Sequence, residues 1–195
     1  MKNGFDAYIK NLENLRAHID YDTLARIEQT IGIYIKQKNN FLYMAGVGKN
    51  SDILHQASKT YNSVGVKTIN LDITNCKHGD FGLIHEHAVL ICTSKSGNTK
   101  ELIEFMQLLK KVKKGTQVIL IHSSKLAITP ELCDISLYVP CIGEADSLNI
   151  IPSCSLINFS TVLHLIVFSV IRDKFTLEHL VKNHPLGSIG KVSDG

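Results

Sequence analysis

The stretch Met44-Ala45-Gly46-Val47-Gly48-Lys49-Asn50-Ser51, arriving directly after the apolar run Phe41-Leu42-Tyr43, decides the fold. A buried strand that ends in two spaced glycines and then a lysine leads the chain into a tight turn beside a positive charge. Helix-forming sequence follows at once. Such a junction is an anion pocket in outline, because the free amides of a helix start and the positive end of its dipole both favour a phosphate. A second junction of the same kind lies at Leu90-Ile91-Cys92-Thr93-Ser94-Lys95-Ser96-Gly97-Asn98-Thr99, where an apolar run ends in clustered hydroxyls. Two such loops at strand ends of one parallel sheet predict a phosphorylated small molecule bound at the edge where the strands stop.

Outward from these loops the pattern repeats. Short apolar runs predict strands near 41–45, 66–71, 87–93, 117–122 and 135–139, alternating with helices near 51–64, 99–112, 126–132 and 153–172. Runs such as Val89-Leu90-Ile91-Cys92, apolar at every position, fit strands buried on both faces. Ahead of the first strand, helical spacing of Phe5, Tyr8, Ile9, Leu12 and Leu15 and then of Leu24, Ile27, Ile31, Tyr34 and Ile35 predicts amphipathic helices over 4–19 and 21–38. The expected fold class is therefore α/β, a three-layer sandwich with a five-stranded parallel sheet flanked by helices.

With 195 residues the chain reads as one domain, long enough to bury roughly 70% of its unfolded surface. A net charge of +3 carries no message about partners. The lysines at 110, 111, 113 and 114 end a predicted helix ahead of Gly115, where cations complement the dipole, and no aromatics interleave them, so no nucleic-acid partner is expected. Five cysteines without CxxC spacing and an N-terminus lacking the apolar stretch of a signal peptide point to a reducing cytoplasm. The uncharged run from Cys154 to Ile171 approaches membrane-spanning length, but Asn158, His164 and its hydroxyl residues favour a buried helix, with no membrane association.

The two loops occur in order with Cys76-Lys77-His78-Gly79-Asp80-Phe81-Gly82, Gly143-Glu144-Ala145 and the tail His184-Pro185-Leu186-Gly187-Ser188-Ile189-Gly190. In these five motifs the chain resembles the sugar-isomerase (SIS) domain of arabinose-5-phosphate isomerases, over about residues 40–191. Residues 1–39, the N-terminal helices, and this sugar-phosphate-binding core would make a single SIS domain. Longer members of that family carry CBS modules after the tail. This chain stops at Gly195, so the likeness is to the stand-alone form. The resemblance implies interconversion of ribulose 5-phosphate and arabinose 5-phosphate, a step toward the lipopolysaccharide sugar Kdo, without an organic cofactor. It also implies a homotetramer with active sites at subunit boundaries. Four residues match the positions on which the family's chemistry is thought to depend: Lys49, Glu101, Glu144 and His184. The chain departs from the family in having Gly48-Lys49-Asn50-Ser51 for Gly-Lys-Ser-Gly, which would route the loop through Ser51 in place of a glycine. It departs again with Glu144-Ala145-Asp146-Ser147 for Glu-Ala-Cys-Pro and with Pro152-Ser153-Cys154-Ser155-Leu156 for Pro-Thr-Ser-Ser-Thr.

Aldose–ketose isomerisation through an enediolate needs a base to carry a proton between C1 and C2, a partner for the developing oxyanion, and a group that moves hydroxyl protons. Two carboxylates, a lysine and a histidine meet that list, and sequence does not say which glutamate is the carbon base. The phosphate is expected on Ser94, Ser96 and Thr99 with the amides of Gly97 and Asn98, and Gly48 and His78 are expected near the substrate. Structural alternatives stand beside these roles. Asn98 and Glu101 have capping-box spacing, His184-Pro185 suits the end of a helix, and His78 suits a cap or a hydrogen-bonded core position. No HxxxH or HExxH spacing occurs, so no metal is expected. Two other functions remain open: an isomerase of another phosphosugar, or a non-catalytic SIS module that senses a sugar phosphate.

Overall fold

The computed structural model describes residues 2–37, 40–127, 132–185 and 189. Two helices, α1 (Lys2–His18) and α2 (Tyr21–Tyr34), lead into β1 (Leu42–Gly46) and α3 (Lys49–Ser63). Then come β2 (Thr68–Asp72), the single turn α4 (Ile73–Cys76), a 3-10 turn at Asp80–Leu83, β3 (Val89–Ser94) and α5 (Lys100–Val112). The chain continues through β4 (Gln117–His122), β5 (Ile135–Tyr138), α6 (Cys154–Ile171) and α7 (Leu177–Asn183). All five strands are parallel, in the order β2-β1-β3-β4-β5.

Alternation along the central strands β1, β3 and β4 explains why the middle of each run is apolar at every position. Leu42, Met44, Ile91, Ile119 and Ile121 face one layer, formed with Leu15, Ile27, Ile31, Leu54, Phe159 and Ile166 from α1, α2, α3 and α6. Their neighbours Tyr43, Ala45, Leu90, Cys92, Val118 and Leu120 face the other, against Leu102, Phe105, Met106 and Leu109 of α5. A period of two with both faces covered confines polar residues to the strand ends and the edge strands, among them Ser94 and His122 at the C-terminal ends of β3 and β4.

The five expected strands and the helices of the two layers are present, with ends shifted by a few residues. α2 stops at Tyr34, short of residue 38, and α4 and α7 were not expected. Most of the helix expected over 126–132 falls on 128–131, outside the described residues. α6 is long and apolar enough to cross a membrane. It packs on α1, α2 and α3, with Asn158 buried and donating to the Pro140 carbonyl at 2.9 Å. His85 and His87 do not begin a strand: β3 starts at Val89, and His87 sits ahead of it with φ 58°, its ring against Gly115.

Candidate functional site

In the strand order, the chain turns one way from β1 to β2 and the other way from β3 to β4 and β5. A crevice opens where the direction reverses, between the loops that follow β1 and β3, and this is the place at which doubly wound sheets bind ligands. Both of the loops singled out in the sequence flank it.

The β1 loop is tight because the first turn of α3 rests directly on the end of the strand. A Cβ at Gly46 would come within 3.0 Å of the Asn50 carbonyl carbon, the Ser51 nitrogen and Leu54 Cδ1. Gly48 caps α3 with φ 57° and ψ −132°, a backbone that glycine adopts at little cost. Lys49 is then the first helical residue, exposed and without an ion pair among the described residues. Ser51 lies within the helix, so the loop does not pass through it, and the glycine found there in the family is not required by backbone geometry.

The β3 loop is braced from within. The buried Ser94 hydroxyl accepts from the Gly97 amide at 3.1 Å and lies 3.0 Å from Thr99 Oγ1, and the Asn98 amide donates to Ser96 Oγ at 3.1 Å. Gly97 turns the chain with φ 65°. The N-cap of α5 is Thr99, so Asn98 and Glu101 do not form a capping box. Asn98 instead reaches across to the Leu126 carbonyl. Ser96 and Thr99 line a cavity of about 580 Å³ together with Asn50, Lys95, Ser123, Ser124, Lys125 and Tyr138. That volume lies in the range of small-molecule sites. On the other side of the β1 loop, Glu101 and Gly48 share a cavity of about 330 Å³ with Asp72 and Thr74.

Glu144 is held very differently from Glu101. Its side chain is buried, with Lys95 Nζ 2.7 Å from Oε1. Ser155 Oγ donates to Oε1 at 2.6 Å, and the amides of Ser153 and Ser155 donate to Oε2 at 2.8 and 3.2 Å. Ser153 is the N-cap of α6 and offers no side-chain cap of its own, so the carboxylate from the distant loop supplies the anion for the start of that helix. Burial pushes the Glu144 carboxyl up, but the Lys95, Ser155 and amide bonds outweigh it and bring the group down to about 2. Asp146 organises the following turn, accepting from the amides of Leu148, Ile150 and Ile151. Glu144 lines a small cavity of about 140 Å³ with Lys95 and Ser123, both of which also line the 580 Å³ cavity.

The two histidines lie apart from these cavities. His78 is exposed after α4, neither a core residue nor one that lines the cavities described above. His184 caps α7, its Nδ1 2.8 Å from the Leu180 carbonyl. α7 docks on the far end of α3, where Asn183 donates to the Ser63 carbonyl and His179 meets that of Val64. Lys49 begins the 15-residue α3 and Ser63 ends it, so at 1.5 Å per residue about 21 Å of helix separates them. Most of the tail 186–190 falls outside the described residues. The sequence motifs include Asn50, Lys95, Ser153 and Ser155 but assign no role to them, and they do not include Ser123. The Lys95–Glu144 pair joins residues 49 apart with no local signal.

No family model matches the chain. In sequence it is 25% identical over 190 residues to the arabinose 5-phosphate isomerase of Francisella tularensis, covering 96% of this chain and 56% of that protein. The chain thus spans about half the length of the curated relatives it matches. Among solved structures it resembles an Escherichia coli CFT073 protein in complex with arabinose 5-phosphate, with TM-score 0.82, 26% identity and coverage of 94% and 95%. A phosphosugar isomerase associated with capsule formation in Bacteroides fragilis gives TM-score 0.86 at 24% identity, with coverage of 92% and 93%. The five-stranded parallel sandwich is the SIS fold, and the chain resembles the arabinose-5-phosphate isomerases.

Proposed function

We propose that this SIS-fold chain is a phosphosugar aldose–ketose isomerase that interconverts D-ribulose 5-phosphate and D-arabinose 5-phosphate. The observation that carries the reading is the braced hydroxyl loop at the topological switch point, with Ser96 and Thr99 facing a cavity and Glu101 opening from the first turn of the same helix. The phosphate sits on Ser96 and Thr99 at the start of α5, with Ser94 and the Gly97 and Asn98 amides holding the loop in shape. The sugar chain runs over the β1 loop toward Glu101. That carboxylate takes a proton from C1 of the ketose and returns it to C2 of the enediolate, while Lys49 balances the oxyanion.

Glu144 plays a positioning part, since a carboxylate held near 2 has little appetite for a proton at neutral pH. It fixes Lys95 at the cavity wall and anchors α6. His184 serves the Lys49 site of a second copy in a homo-oligomer, the tetramer of the family resemblance. Two observations support this: the length of α3 between the two residues, and apolar side chains left exposed on α1 (Phe5, Ile9) and α6 (Ile157, Leu165, Phe168). The seclusion of Glu144 and the distance to His184 also favour a second reading, a SIS module that binds a sugar phosphate without turning it over. Incubation of the purified protein with ribulose 5-phosphate separates the two, because only the isomerase forms arabinose 5-phosphate.

A further inference from the structure

The loop that follows β4 lines the same cavity as the hydroxyl loop and forms a second wall of it, although no motif in its sequence marks it. It is fastened to the hydroxyl loop at two points, Ser123 and Leu126. The Ser123 amide donates to the Lys95 carbonyl at 3.2 Å, and Asn98 Nδ2 donates to the Leu126 carbonyl at 3.1 Å. From below, the buried His122 lies 2.9 Å by Nδ1 from the Ser124 carbonyl and 2.9 Å by Nε2 from Ser136 Oγ. A carbonyl only accepts, so Nδ1 carries the hydrogen; burial lowers the pKa of the ring, and in its neutral form Nε2 accepts from the serine hydroxyl. The neutral ring thus pins the loop, and the Leu126 amide donates to Ser124 Oγ to close its turn.

Two groups on this wall are uncommitted among the described residues. Ser123 Oγ is buried in the structure with no hydrogen-bond partner, although its residue lines the cavity with Ser96 and Thr99. A buried hydroxyl left unpaired is costly, and a rotation about χ1 that turns it into the cavity Ser123 lines would let a ligand oxygen satisfy it. Lys125 lines the same cavity and makes no ion pair among the described residues, whereas Lys95, the other cation there, is engaged by Glu144. A phosphate dianion resting on hydroxyls and amides alone lacks a counter-charge, and Lys125 is placed to supply it.

We propose that the β4 loop is the second half of a two-walled phosphate subsite, in which Ser123 donates a hydroxyl and Lys125 supplies the charge. The phosphate is then gripped between Ser96 and Thr99 on one side and Ser123 and Lys125 on the other, with His122 as a positioning residue beneath. This inference rests on the reading of Ser96 and Thr99 as phosphate ligands, but it does not require turnover.

Inorganic phosphate is the probe, with its binding to the purified protein measured by calorimetry at two salt concentrations. Lys125→Ala should weaken phosphate binding roughly tenfold and flatten its salt dependence, and Lys125→Arg should restore most of both. Ser123→Ala should weaken binding roughly fivefold. In turnover of ribulose 5-phosphate both variants should raise KM and spare kcat, with melting temperatures near that of the parent protein. If Lys125→Ala and Ser123→Ala bind phosphate like the parent while Ser96→Ala with Thr99→Val does not, the second wall is overturned and the first stands. If the double variant of the hydroxyl loop also binds normally, or the parent shows no phosphate binding, both fall. Phosphate binding that depends on Lys125 in a protein without isomerase activity would uphold the subsite and overturn the enzymatic reading.

Discussion

The two matched glutamates illustrate how much a residue's role depends on its surroundings. Glu101 is exposed at the mouth of a cavity, while Glu144 is buried under a lysine, two serines and a helix start. Glu101→Gln should therefore abolish most of kcat with the melting temperature unchanged. Glu144→Gln should instead lower the melting temperature by several degrees, since about 1 kcal/mol corresponds to 2–4 °C for a chain of this size, and differential scanning calorimetry reads the difference. Acid should act through the same clamp. The folded-state value of Glu144, about 2, lies below its ordinary 4.5, so the stabilisation is fully present above pH 4.5 and is lost as pH falls from there toward 2. Urea midpoints measured from pH 6 to pH 3 should fall steeply in the parent and more gently in Glu144→Gln. Parallel curves would refute the clamp. On the hydroxyl loop, Ser96→Ala with Thr99→Val should raise KM far more than it lowers kcat, because each bond lost to a charged group is worth roughly 1.5 to 3 kcal/mol.

At the scale of elements, Gly46 links backbone and chemistry. Gly46→Ala puts a methyl group against the first turn of α3, displacing Lys49 and Asn50 at a cost of about 1–3 kcal/mol. Activity should drop and melting should fall together, whereas Gly32→Ala, in α2 with open space around it, should leave activity unchanged. The central strands were legible because both faces of the sheet are covered, leaving apolar runs in the middle of β1, β3 and β4, and the long helices because each turns an apolar stripe to the sheet. The two anion loops were legible because glycines and hydroxyls must sit where strand gives way to helix. The short α4 was not, since a single turn behind its Asp72 cap shows no helical period, and neither was α7, which is held by contacts made elsewhere, to carbonyls at the end of α3. The β4 loop escaped notice for a similar reason. Its meaning comes from bonds to Lys95 and Asn98 in another loop, and no local pattern records them.

For the whole molecule, the separation of Lys49 from His184 by the length of α3 makes assembly part of the proposed mechanism. Lys49→Ala and His184→Ala should each be inactive, and a mixture whose subunits exchange should regain part of the activity, since some hybrid sites carry neither lesion. Exchange without recovery, or activity in a monomer, would contradict the shared site. The phosphate pocket, the exposed Glu101 and the exposed Lys49 converge on one reaction, which places a single requirement on the purified protein. Ribulose 5-phosphate, incubated with it in deuterium oxide and followed by proton and carbon NMR, should give arabinose 5-phosphate with deuterium at C2, and Glu101→Gln should give neither product nor exchange. Formation of no aldose phosphate by the parent protein, or full exchange in the Glu101 variant, would contradict the account.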